Sequence, residues 1–126
     1  MNFRYTTSTI LDPNANAYER FGYRTPLNGG DGFRWEAEDF LVQQKPVEYL
    51  PGSVHSHMPS DLHTIRVTRN TVIYLTQGPD SVPLDQATHC WRPAGQRVGP
   101  DLSGLYTPMS VDRVCERLRQ LSELRA

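Results

Sequence analysis

Apolar and polar residues alternate with period two through Phe33-Arg34-Trp35-Glu36-Ala37-Glu38, the pattern of a half-buried strand. Phe40-Leu41-Val42 follows, and Lys45-Pro46 breaks the run. Val47-Glu48-Tyr49-Leu50 reads as a short strand turned by Pro51-Gly52. Thr64-Ile65-Arg66-Val67-Thr68 alternates again. After a turn at Thr68-Arg69-Asn70-Thr71, Val72-Ile73-Tyr74-Leu75-Thr76 is the most strand-like run in the chain, ended by Gly78-Pro79-Asp80. Strands at a spacing of roughly 8–12 residues, separated by Gly, Pro, Asn and Asp, predict a mostly β barrel or sandwich.

Residues 1–32 read as an irregular arm, although Phe3-Arg4-Tyr5-Thr6-Thr7-Ser8-Thr9-Ile10 is β-rich and suits an edge strand. The strand core spans 33–79, and 83–109 is rich in Gly and Pro. The period then changes. Val111, Val114, Cys115, Leu118 and Leu121 recur at helical spacing behind Ser110, a good N-cap, with Asp112 in the first turn. This predicts an amphipathic helix over 110–125, docked on the sheet for packing rather than for a partner.

Composition narrows the class. A chain of 126 residues fits one domain, 1–126. Its mean hydropathy is −0.57. With only 21% charged residues and two Trp, six Tyr and four Phe, it nonetheless has the material for a packed interior. A net charge of −1 provides no basic field for nucleic acid or an anionic membrane. The apolar runs are too short to span a bilayer. Met1-Asn2-Phe3-Arg4-Tyr5 lacks a signal-peptide core, so a cytoplasmic location is expected. Cys90 and Cys115 allow one disulfide, but two free thiols suit that compartment better.

All four histidines fall between 55 and 89, and three of them lie in Gly52-Ser53-Val54-His55-Ser56-His57-Met58-Pro59-Ser60-Asp61-Leu62-His63. On a strand, His55 and His57 project from one face, and His63 completes a set of three imidazoles if the corner at Pro59 folds back. Neutral imidazole suits Zn, Fe, Ni and Cu, so these residues are candidate ligands of a divalent transition metal, expected to be Fe, Zn, Mn or Ni. They are equally compatible with ordinary half-exposed histidines, since His-x-His is a common pattern. Glu36 and Glu38 share a strand face. They are the candidate catalytic pair, as a base or a further ligand, beside the plainer reading of a solvated face. Gly29-Gly30-Asp31-Gly32 lacks the Lys and the helix of a phosphate loop. In His89-Cys90-Trp91, adjacent strand residues point apart, so Cys90 reads as a small buried apolar group. Trp91, Arg92 and Tyr106 are candidate pocket residues that nothing in the sequence places together.

The stretch Phe40 to Pro79 resembles the cupin family. Gly52 and His63 stand eleven apart with Pro59 between them, similar to that family's second motif, and two strand-like runs follow. The resemblance implies a small jelly roll with a metal inside, with His63 matching the motif's histidine. Upstream, Gly30-Asp31-Gly32-Phe33-Arg34-Trp35-Glu36-Ala37-Glu38 has carboxylates where the first motif has histidines. A second alignment makes His55-Ser56-His57 the first motif and His89 the second, with Gly78 eleven residues before it and Pro83 between. The expected function is therefore a cupin-like metal-binding protein with a small-molecule ligand, of the oxygenase or isomerase kind if it is an enzyme. The alternative is a non-catalytic β-sandwich that binds a partner or acts as a homo-oligomer, such as a homodimer, through its exposed edges.

Overall fold

The computed structural model describes residues 1–79, 86–102 and 108–124. Pro83, Tyr106 and the last residue of the expected helix lie outside them. The chain is mostly β. Five strands, β1 (Asn2–Ser8), β2 (Asn16–Arg24), β3 (Gly32–Gln43), β4 (Leu62–Ile65) and β5 (Thr88–Pro93), form one antiparallel sheet in the order β4-β1-β3-β2-β5. The sheet curls into a half-barrel, and one helix, α1 (Val111–Glu123), follows it.

β2 and β3 form the central hairpin. The turn between them is closed by Thr25, whose hydroxyl accepts from the Leu27 N–H, by Pro26 at the start of a single 3₁₀ turn, and by Gly29 at φ 79°. Pairing then runs from Arg24↔Gly32 to Asn16↔Leu41 with one slip: Phe21 faces Trp35 and Arg20 faces Ala37, leaving Glu36 as the extra residue. Such a bulge sharpens the local twist and re-aims a side chain. Apolar burial centres on Phe21 and Leu41, 1% and 2% exposed. Phe21 lies between Trp35 and Cys90 of its neighbouring strands, and Leu41 between Thr7 and Asn16.

Several expectations are corrected. The β-rich N-terminal run is an interior strand, paired on both sides by β3 and β4, and not an edge. The arm expected to be irregular contains the whole of β2. The two runs from Phe33 to Val42 merge into one twelve-residue strand. Of Val47–Leu50 only Val47 bridges, to Asn2. The alternation at 64–68 forms strand only as far as Ile65, with one further pair of hydrogen bonds between Arg66 and Met1. Val72–Thr76 forms no strand and is exposed throughout. β-propensity measures fit to a pleated, half-buried surface, and none of the described strands supplies that surface here. β5 arises within a stretch expected to be loop.

The helix forms where expected. The Ser110 hydroxyl accepts from the Arg113 N–H, and Asp112 lies in the first turn. None of its residues is buried, so the expected docking on the sheet does not occur.

Candidate functional site

Three clusters of polar side chains have enough order to carry chemistry. The first contains the three closely spaced histidines. A turn at Leu50–Ser53, with Gly52 at φ 83°, starts their loop, and a second turn at Met58–Asp61 delivers the chain into β4. His55 and His57 therefore lie in irregular backbone, not on the strand expected for them, while His63 is on β4 opposite Arg4 of β1. The fold still brings all three together. Tyr49 stacks on His55 at 4.2 Å, His55 meets His57 edge-on at 5.1 Å, and His57 stacks on His63 at 3.7 Å with planes 5° apart.

His57 is the centre of this column. Both of its ring nitrogens are buried without a hydrogen-bond partner. The nearest carboxylate oxygen, on Asp61, is 4.0 Å from Nδ1 and is already engaged by the Met58 N–H at 2.9 Å. Burial lowers the His57 pKa, and the neighbouring His63, His55 and Arg4 lower it further, against an opposing pull from Asp61. The ring is thus held toward its neutral form, the form that ligates metals. A groove of about 400 Å³ is lined by Arg4 and Asp61, which lie next to the column, and by none of the three histidines themselves. Thr6, Thr7 and Gln44 form another part of its wall.

The ring planes limit what the column can do as it lies. An ion bound by imidazole sits on a nitrogen lone pair, in the plane of the ring. Two nearly parallel stacked rings with centroids 3.7 Å apart share no such point, so His57 and His63 ligate one ion only after a ring turns. Consistent with this, no group of three His, Cys, Asp or Glu among the described residues is placed to hold a metal ion.

The second cluster is built by the bulge. Arg20 donates from Nε to Glu36 at 3.0 Å and from a terminal nitrogen to Asp39 at 3.2 Å. Trp91 donates to the same Asp39 oxygen at 2.9 Å, and His89 Nε2 lies 3.2 Å from Glu36. Gly22 makes room for this arrangement, because a Cβ there would run into Oε1 of Glu36. Glu36 is therefore the hub of an ion-pair network on the β2–β5 side. β1 separates β3 from the strand that carries His63. Glu38 lies opposite Glu19 in the register. Of the candidate pocket residues, Trp91 joins this network, while Arg92 donates to the Val98 carbonyl at 3.1 Å. Cys90 and Cys115 are both free thiols. Burial pushes the Cys90 thiol pKa up, and the Glu36 carboxylate adds to that.

The third cluster escaped sequence reasoning. Glu19 is only 3% exposed. Trp35 Nε1 donates to it at 2.6 Å, and Arg97 Nε approaches to 3.9 Å. The Arg97 guanidinium also lies over the Trp35 ring, 4.4 Å from its centroid. The available signal was Ala17-x-Glu19-x-Phe21-x-Tyr23, a period-two run with an acid at an inward position. An acid there implies a buried donor.

No protein-family model, curated protein or solved structure matches this chain.

Proposed function

We propose that this chain is a metal-binding β-protein that takes a divalent transition metal through His55, His57 and His63. One observation carries this: His57 lies between two further imidazoles, with both of its buried ring nitrogens lacking a partner. A buried donor or acceptor left unpaired costs about 1–3 kcal/mol, and a bound ion removes part of that cost. His63 is exposed, so its ring can turn off the stack without disturbing the core. Asp61 is the nearest carboxylate for a further ligand. When bound, the ion would act as a Lewis acid toward a small-molecule ligand entering by the adjacent groove, as a cupin-like oxygenase or isomerase requires. Glu36, tied to Arg20 and His89 on the other side of β1, is no part of this set.

The test is elemental analysis of untagged protein after loading with Fe, Zn, Mn or Ni, followed by dialysis. The native chain should retain close to one equivalent, and His57→Ala and His63→Ala should each lose most of it. Retention below about a tenth of an equivalent, or native-like retention in both variants, rejects the proposal.

A further inference from the structure

Among the described residues, four buried side-chain nitrogen and oxygen atoms lack a hydrogen-bond partner, and all four belong to the Asn2 amide and the His57 ring. Asn2 is 1% exposed, at the start of β1. Its backbone needs nothing from the side chain: the Asn2 N–H donates to the Val47 carbonyl at 2.7 Å, and the Asn2 carbonyl accepts from the Val47 N–H at 3.0 Å. The register places the amide beside the histidine column. Asn2 and Arg4, two apart on β1, share a sheet face, and Arg4 stands opposite His63 on β4. Asn2 and His63 are thus diagonal neighbours on that face, roughly 7–8 Å apart at the backbone. The His57 ring stacks on His63 with centroids 3.7 Å apart. Side chains the size of an amide and an imidazole span such a gap.

The two side chains are complementary. A neutral imidazole has one N–H and one lone pair, and an ion takes the lone pair. The remaining N–H of a ligating histidine is ordinarily held by an acceptor that fixes the tautomer and the ring orientation. The nearest carboxylate to His57 is poorly placed for this, because the Asp61 oxygen 4.0 Å from Nδ1 already accepts from the Met58 N–H at 2.9 Å. The Asn2 carboxamide oxygen is buried, on the same face and unengaged. The terminal torsion of an asparagine is soft, so the amide turns readily as the ring turns. An unpaired buried amide is destabilising, and an apolar residue of the same size would avoid that cost, so an asparagine here is explained by a partner that it meets. We propose that Asn2 is a positioning residue of the metal site, whose Oδ1 accepts the His57 ring N–H and leaves the other His57 nitrogen for the ion. The assignment rests on the metal reading of His55, His57 and His63.

The experiment measures zinc affinity of the full chain by competition with a chelator. Asn2→Leu should bind zinc about 10–100-fold more weakly than the native chain. Asn2→Asp, which keeps an acceptor oxygen at the same reach, should restore most of the affinity. In the zinc-loaded native chain the free N–H of His57 should give a slowly exchanging proton resonance, lost in Asn2→Leu and kept in Asn2→Asp. A purely structural asparagine would not produce that signature. In EDTA the urea midpoint of Asn2→Leu should be no lower than native, because the variant removes an unpaired amide. Native zinc retention below about a tenth of an equivalent overturns the metal reading, and this assignment with it. Where the native chain holds zinc, native-like affinity in Asn2→Leu overturns the assignment alone. So does a His57 N–H that exchanges rapidly in the zinc-loaded native chain, a result that needs no variant to fold.

Discussion

Replacing Trp35 with Phe tests whether the buried Glu19 carboxylate depends on the indole N–H. The substitution keeps an aromatic ring beneath Arg97 and beside Phe21, and removes the donor that meets Glu19 at 2.6 Å. A hydrogen bond to a charged group contributes about 1.5–3 kcal/mol. The Arg97 contact, at 3.9 Å from a side chain 65% exposed, offsets little of that loss. The smaller ring adds a fraction of a kcal/mol in lost apolar area, so the expected destabilisation is about 2–3 kcal/mol. With a urea slope of about 1–3 kcal/mol/M for a domain of this size, the midpoint should fall by roughly 1 M at unchanged slope. Equilibrium urea unfolding followed by far-ultraviolet circular dichroism, at one fixed protein concentration, measures it. Glu19→Gln completes a double-mutant cycle, in which the two changes together should cost at least about 1 kcal/mol less than their sum. A midpoint shift under about 0.3 M, or strict additivity, would refute the dependence.

Two further outcomes follow from the burial of single groups. Cys90, with its thiol pKa raised by burial and by Glu36, should react with a disulfide reagent at pH 8 at least about tenfold more slowly than free cysteine in a Cys115→Ser background. Glu36→Gln should speed that reaction, and a rate unchanged or slower in that variant would exclude the carboxylate as a cause. Tyr18 has its pKa raised above 10.0, first by burial and then by Tyr5, whose ring meets it edge-on at 6.0 Å. The folded state thus holds that proton more tightly than the unfolded state. The stability this contributes is complete below about pH 10 and is lost as pH rises through the raised value. The stability difference between the native chain and Tyr18→Phe should shrink from pH 9 to pH 11, and a constant difference would contradict the burial of that hydroxyl.

How far each element was legible depends on where its determinants lie. The alternation of Phe33, Trp35 and Ala37 marked β3, because an amphipathic strand writes its two faces into consecutive residues. The helix was legible from Ser110 and the Val/Leu spacing, because capping and periodicity act within a few residues. β2 was not, because the groups that hold Glu19 and Arg20 in place are remote in sequence. Their partners, Trp35, Glu36 and Asp39, lie 16 to 19 residues away, and Arg97 comes from beyond β5. Val72–Thr76 shows the reverse: the run has every local property of a strand, and none of the described strands pairs with it.

The clustering of His55, His57 and His63 was decided by sequence proximity together with the turns at Gly52 and Pro59. Sequence by itself therefore determined a mostly β chain with a terminal amphipathic helix and three imidazoles close to one another. Only the tertiary structure decided the strand order, the stacking of His57 on His63, the bulge that turns Glu36 toward Arg20 and His89, and the burial of Glu19. Local propensity acts over a few bonds. Register, ring orientation and the satisfaction of a buried charge depend on groups brought together from distant parts of the chain, and no short window of sequence contains both partners.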